Sequence, residues 1–271
     1  MYETRYHRPQ TLAEAAQLYD GAEDPAFLSG GHTLIPTMKN RLAAPADLID
    51  LRRIPELRGI RAADGRLIIG AAQTHAEVAA SDIVRDAIPA LAQLAGSIGD
   101  VQVRHMGTMG GSVANNDPSA DYPSAVLSLG GCVVTSQRRI AADDFFAGLY
   151  ATVLEPGEVI VAIEFPIPVA AGYAKHRNPA SRYALAAVFV SRFDGRAPRV
   201  AVTGASESGV YRWSEAEERL AERFDVEALE GLTAVKAIMA EDMHACRAYR
   251  ASLVATMTRR AVKAMGGMVV S

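Results

Sequence analysis

The residues best suited to chemistry lie between 96 and 121, in GSIGDVQVRHMGTMGGSVANNDPSAD. Gly107, Gly110 and Gly111 are free to take positive φ and carry no Cβ to block a ligand. Thr108, Ser112, Asn115 and Asn116 add short polar side chains that hydrogen-bond phosphate or ribose oxygens, or close turns within the loop itself. Asp121 stands at the start of an expected helix, either as an acceptor for ligand hydroxyls or as an ordinary N-cap. A glycine-rich turn of this composition aims several N–H groups at one point, a concavity suited to an anion.

A second glycine pair lies upstream in FLSGGHTLIPTMK, residues 27–39, directly after the apolar run Ala26–Leu28, which reads as a buried strand. One Gly-Gly pair alone reads as a turn. Two pairs, each flanked by Thr, Ser or His, also read as two loops gripping a pyrophosphate, and the residues by themselves leave both readings open. His32, among small residues, suits loop hydrogen bonding better than metal ligation. Arg104 and His105 precede the second pair and suit either phosphate contact or loop packing.

What is missing narrows the chemistry. No two glycines are separated by a single residue, so the G-x-G-x-x-G dinucleotide fingerprint is excluded, and there is no Walker A, H-E-x-x-H or G-x-S-x-G sequence. The formal charge of −3 lacks the basic excess of a nucleic-acid binder. The N-terminus has no apolar signal region, and no uncharged run is long and apolar enough for a transmembrane segment, so the expectation is a cytoplasmic protein. Cys132 and Cys246 are far apart and form no C-x-x-C, which excludes a four-cysteine cluster in this chain; both are expected to be buried and reduced.

With 271 residues, 49% of them hydrophobic, the chain is long enough for two or three compact units. Thr11-Leu-Ala-Glu14 has capping-box form and opens a helix to about Tyr19; a strand at 26–28, a short helix at 35–41 and a strand at 46–51 complete a small α/β unit. Residues 60–62, the turn Asp64-Gly65 and residues 67–71 predict a β-hairpin. Thr74-His-Ala-Glu77 is a second capping box, and 88–98 predicts a helix running directly into the glycine loop. A short helix at 122–129 and strands at 132–135, 139–141 and 159–165 follow, with Pro166 and Pro168 marking a boundary. Beyond it come Tyr173-Ala-Lys175, strands at 184–193 and 199–203, a third capping box at Ser214–Glu217, and helices at 226–239 and 245–265. Trp213 is expected to anchor this last part, with Met257 and Met265 in its core.

SGGHT at 29–33 and TMGGS at 108–112, with VQVRHMG before the second and NNDPSADYP after it, resemble the FAD-binding medium subunit of molybdenum hydroxylases, the carbon monoxide dehydrogenase and xanthine dehydrogenase family. The resemblance extends to RAYRASLVATMTRRAV near the C-terminus. It implies an α+β fold: a two-part FAD-binding domain over 1–168, divided into 1–56 and 57–168, and a C-terminal domain over 169–271 with an antiparallel sheet and a helical bundle. By the same resemblance, Leu28, Ser29, Gly30, Gly31, His32, Thr33, Leu34 and Ile35, with Thr108, Met109, Gly110, Gly111 and Ser112, hold the pyrophosphate; Asn115 is added to this cofactor set on its residue type alone. Asp121 takes ribityl or ribose hydroxyls, and Ile160 and Lys175 fall on cofactor-binding positions. Ile98 replaces an aromatic flavin neighbour of xanthine dehydrogenases, and Tyr183 matches a tyrosine that lies against the flavin in carbon monoxide dehydrogenases.

A ligand as large as FAD agrees with simple energetics. Four N–H groups on a pyrophosphate contribute roughly 6 kcal/mol at about 1.5 each, whereas nanomolar binding requires about 12 kcal/mol. Buried rings must supply the remainder. The resemblance further implies partners: a molybdopterin-containing large subunit that oxidises substrate, a small 2Fe-2S subunit that relays electrons, a dimer of such heterotrimers, and an external acceptor, quinone or NAD. Two other readings remain open on sequence: a stand-alone FAD-dependent oxidoreductase on the same fold, and a non-catalytic subunit that has lost the flavin.

Overall fold

In the N-terminal segment, strands β1 (Arg5–His7), β2 (Pro25–Leu28) and β3 (Asp47–Asp50) form a parallel sheet in the order β1-β3-β2. Parallel neighbours need crossovers, and α1 (Leu12–Asp20) and α2 (Leu34–Lys39) supply them. Thr11 caps α1 by accepting the Glu14 amide at 3.1 Å, but the Glu14 carboxylate reaches back to the Gln10 amide, so the expected box closes one residue early. The computed structural model describes residues 1–266.

The next segment is built on an antiparallel sheet ordered β4-β5-β10-β6-β7, with β4 at Ile60–Ala63 and β5 at Arg66–Gly70. Asp64 and Gly65 take φ of 51° and 69°, the geometry of the tight turn that matches strand twist. Helices α3 (His75–Ala80), α4 (Asp82–Ala87) and α5 (Pro89–Gly96) cover the sheet, and Thr74 and Glu77 form a complete capping box. Instead of running to Ile98 and into a loop, α5 ends at Gly96 and two further helices follow, α6 (Val101–Met106) and α7 (Met109–Asn115). Asp100 caps α6 through the Val103 amide at 2.8 Å, and Thr108 caps α7 through the Gly111 amide at 3.2 Å. The glycine segment is therefore largely helical, and Gly107, Gly110 and Gly111 do not use positive φ. Helix α8 (Tyr122–Ser128), strands β6 (Cys132–Thr135) and β7 (Arg139–Ala141), the short α9 (Ala142–Phe145), the two-stranded β8 (Phe146–Gly148) with β9 (Ala151–Thr152), and central strand β10 (Ile160–Pro166) complete this segment.

The last segment is an antiparallel sheet of β11 (Ala170–Arg177), β12 (Ala184–Arg192), β13 (Arg199–Thr203) and β14 (Tyr211–Arg212), in that order. Strand β12 is buried on both faces: Ala187 and Phe189 enter the core shared with the preceding segment, while Ala186, Val188 and Val190 face a core made with α10 (Ser214–Glu222) and α11 (Arg247–Gly266). Helix α11 lies so close to the sheet that a Cβ on Gly172 would fall 2.1 Å from the Ala261 carbonyl oxygen.

Several expectations are corrected here. The box at Ser214–Glu217 does not form, because Trp213 occupies the N-cap position and the Glu217 carboxylate binds the Val200 amide and Arg212. Residues 226–239 form no α-helix, only 3₁₀ turns at Glu227–Leu229 and Lys236–Ile238, with Gly231 between them at φ 71°. The expected helical bundle is thus two α-helices against a sheet. Trp213, Met257 and Met265 are buried in that core as expected. Cys132 is only partly buried and Cys246 is exposed, so neither is the buried small residue anticipated.

Candidate functional site

The loop after β2 meets the start of α7 through a hydrogen bond of 2.8 Å between the hydroxyls of Ser29 and Thr108. This junction requires glycine on the loop side, where a Cβ on Gly30 would lie 2.5 Å from the Met106 carbonyl oxygen; Gly110 is held to glycine by a different neighbour, the Ala71 Cβ at 2.4 Å. A cavity of about 870 Å³ opens along the junction, at the upper end of the roughly 300–1,000 Å³ usual for cofactor sites.

The two glycine segments contribute differently. In α7 the first amides are committed within the protein: Met109 to the Gln73 carbonyl, Gly110 to the Ala71 carbonyl, and Gly111 and Ser112 to Thr108. In the first loop the amides of Gly30, Gly31, His32, Thr33 and Leu34 donate to no acceptor among the described residues, and Gly31 takes φ 76°. The backbone concavity expected of the second segment is therefore found in the first. Helix α7 offers side chains instead, Ser112 and Asn115 one turn apart on the cavity wall. Asn116 turns away in left-handed conformation and donates its side-chain amide to the Gly148 and Ala151 carbonyls, pinning the β8–β9 hairpin.

An apolar group in the cavity lining comprises Phe27, Leu51, Leu57, Leu154, Val159 and Ile160. A second group carries charge. Asp121 sits at the N-cap position of α8 but makes no capping bond. Its carboxylate instead accepts from the Tyr173 hydroxyl and, at 2.9 Å, from the Lys175 ammonium. The side chains of Asp121 and Lys175 are each only 4% exposed. Tyr173 and Lys175 are two apart on β11, so their side chains share one face of the strand. Burial, with the Asp121 charge beside it, pushes the Tyr173 hydroxyl well above the usual tyrosine range, so it stays a donor. Tyr183 is half-exposed at the rim, its pKa raised by partial burial and by the charges of Asp117 and Asp121.

Of the residues expected at a cofactor site, Leu28, Ser29, Gly30, Gly31, His32, Thr33 and Leu34 line this cavity, as do Ile98, Thr108, Gly110, Gly111, Ser112, Asn115, Asp121, Ile160, Lys175 and Tyr183. Ile35 and Met109 do not: Ile35 packs beneath the first loop and Met109 is fully buried in the core. Arg104 and His105 are likewise absent from the wall, bonded to backbone carbonyls of 98–101.

Sequence reasoning missed Tyr173, His75, Asp117 and Glu158. The last three line the cavity. Burial, together with the charges of His32 and Arg104, lowers the His75 pKa to about 4, and its Nδ1 is buried with no hydrogen-bond partner among the described residues. The Glu158 carboxylate is held down to about 2, chiefly by its bonds from Arg138. The signal available in sequence was the i, i+2 spacing of Tyr173 and Lys175; the other three depend on contacts across the fold.

Comparison with known proteins gives a consistent family. Residues 2–168 match the model described as the FAD binding domain in molybdopterin dehydrogenase. The chain is 35% identical to the carbon monoxide dehydrogenase medium chain of Afipia carboxidovorans, covering 95% of each chain. It is 33% identical to the nicotine 6-hydroxylase medium subunit of Paenarthrobacter nicotinovorans, covering 97% of each. The solved structure of reconstituted carbon monoxide dehydrogenase from Oligotropha carboxidovorans superposes with a TM-score of 0.88 at 34% identity, covering 98% of this chain and 99% of that one. A glycine-held junction, a row of unpaired amides and a cavity lined by both apolar and charged groups suit a dinucleotide. This chain belongs to the family of FAD-binding medium subunits of molybdenum hydroxylases, an oxidoreductase component whose cofactor is FAD.

Proposed function

We propose that this chain holds FAD across the cavity and carries electrons from the 2Fe-2S clusters of a small partner subunit to an external acceptor, a quinone or NAD. A large molybdopterin-containing subunit would oxidise the substrate, in a cytoplasmic dimer of heterotrimers. The observation that carries the reading is that the unpaired amides of 30–34, an apolar group of side chains and a charged group all line one cavity. Such a lining suits a pyrophosphate with its attached rings.

FAD supplies the capacity to take and give one or two electrons. The chain's own residues position it. The amides of 30–34 hold the diphosphate from one side, and Ser112 and Asn115 add hydrogen bonds from α7. The apolar group around Phe27 and Val159 excludes water from one ring, and Asp121 accepts from hydroxyls of the linker. Tyr183 stacks on the other ring and leaves one edge open at the rim. Among the described residues, no helix is long and apolar enough to cross a membrane. Substrate choice belongs to the large subunit: relatives of this chain serve enzymes named for substrates as different as carbon monoxide and nicotine.

Affinity purification of the chain from its native cell, with mass spectrometry of co-purifying proteins and chromatography of released flavin, tests the reading. Recovery of a large and a small partner with FAD is expected. Recovery of the chain alone with bound flavin would favour a stand-alone flavoenzyme, and recovery of the partners without flavin would favour a subunit that has lost it. Tyr183→Ala is expected to alter the flavin absorption spectrum; an unchanged spectrum removes Tyr183 from the ring contact.

A further inference from the structure

Asp121 divides its two carboxylate oxygens between different donors. Oδ1 accepts from the Tyr173 hydroxyl and Oδ2 from the Lys175 ammonium. Asp121 and Lys175 reach the cavity wall, whereas Tyr173 does not. Tyr173 is buried, paired across the sheet with Phe189, their rings 6.1 Å apart. Its hydroxyl therefore acts on the cavity through the carboxylate rather than by direct contact. We infer that Tyr173 is a positioning residue that tunes the reduction potential of the bound flavin by holding Asp121 partly neutralised and letting Lys175 direct its remaining N–H groups into the cavity. This rests on the reading that FAD occupies the site.

The sign follows from charge. An ammonium has three donors, and Lys175 directs one of them at Asp121 Oδ2. With Oδ1 satisfied by tyrosine, nothing draws the ammonium toward a bridging position. In Tyr173→Phe the buried Oδ1 has lost its donor, so the carboxylate projects a stronger negative field and pulls Lys175 toward itself. Both changes make this part of the cavity more negative. Reduction adds electrons to the ring, so the reduced form is disfavoured and the potential falls. Asp121→Asn has the opposite effect, because it leaves the Lys175 charge uncompensated. Loosened packing alone would not move the two variants in opposite directions.

The experiment is a spectroscopic redox titration of the purified, flavin-containing complex, with flavin content measured by chromatography and folding by thermal melting. Tyr173→Phe is expected to retain flavin and shift the oxidised-to-reduced ratio about tenfold toward oxidised, which for a two-electron couple is about 30 mV downward. Asp121→Asn is expected to move it upward. A Tyr173→Phe complex with bound flavin at the parental potential overturns the inference, as does a shift of both variants in the same direction. If Tyr173→Phe does not fold, 3-fluorotyrosine at position 173, a stronger hydrogen-bond donor, gives the same test with reversed sign: an upward shift supports the inference and no shift overturns it. A parent complex without flavin would instead refute the cofactor reading on which this rests.

Discussion

Gly30→Ala isolates the junction between the two glycine segments. The new Cβ would lie 2.5 Å from the Met106 carbonyl oxygen and 2.6 Å from the Gly107 Cα, both backbone atoms with no rotamer to escape into. Moving from 2.5 Å to the 3.4 Å of ordinary contact separates the segments by about 0.9 Å. The Ser29–Thr108 hydrogen bond, now 2.8 Å, would stretch past hydrogen-bonding distance. Overpacking of this kind destabilises by about 1–3 kcal/mol. The effect on flavin should be larger, because the unpaired amides of 30–34 would shift relative to Ser112 and Asn115. Loss of two hydrogen bonds to a charged group, at about 1.5–3 kcal/mol each, removes roughly 3–6 kcal/mol of binding, on the order of 10²–10⁴ in Kd. Gly65→Ala is the control: φ there is 69° with nothing within 4 Å of a Cβ, so it should cost about 1–2 kcal/mol of stability and leave flavin binding intact. The assay is flavin content and Kd by equilibrium dialysis, beside urea unfolding. If Gly30→Ala loses stability like Gly65→Ala yet binds flavin with parental affinity, the junction does not set the geometry of the site.

Other outcomes follow from the same contacts. Asn116→Ala removes both bonds to the β8–β9 hairpin and places alanine at φ 43°; a loss of about 2–4 kcal/mol and faster amide exchange across 146–152 are expected, and an unchanged urea midpoint would refute the clamp. His75 is held neutral, its pKa lowered from 6.5 to about 4. The unfolded chain therefore binds more protons between those values, and stability present above pH 6.5 is lost as pH falls toward 4. Urea titrations at pH 7 and pH 5 should differ by about 2 kcal/mol, and His75→Gln should remove that component; an equal slope in the variant would refute it.

Much of the scaffold is written locally. The apolar run at Ala26–Leu28, the Asp64-Gly65 turn and the Thr74–Glu77 box each appear where nearby residues place them. The site is less local. Gly110 and Gly111 disfavour helix by about 1 kcal/mol each, so the segment reads as a loop. It is helical because Thr108 caps it and because the amides of Met109 and Gly110 find the Gln73 and Ala71 carbonyls. Residues 226–239 differ in the other direction: a helix is expected there, but Gly231 takes φ 71° and splits the segment. Asp121 was legible as a ligand or a cap. That it would instead be held by Tyr173, 52 residues away, depends on α8 packing on β12 and β13, the sheet to which β11 belongs, which no local pattern encodes.

The division of labour across the cavity has a topological cause. The loop after β2 leaves the carboxyl end of a parallel strand, where a crossover begins and backbone amides are free to face a ligand. Helix α7 starts instead against the residues that follow β5, an antiparallel strand whose exit uses the amides of 109 and 110 to continue backbone pairing. Each side therefore contributes what its connection leaves over: amides from the parallel sheet, side chains from the antiparallel one. Glycine is required at the meeting point because two backbones, rather than two side chains, must touch there. Substituting the polar side chains of α7 should therefore weaken binding in steps, whereas substituting Gly30 should displace every amide of the first loop at once.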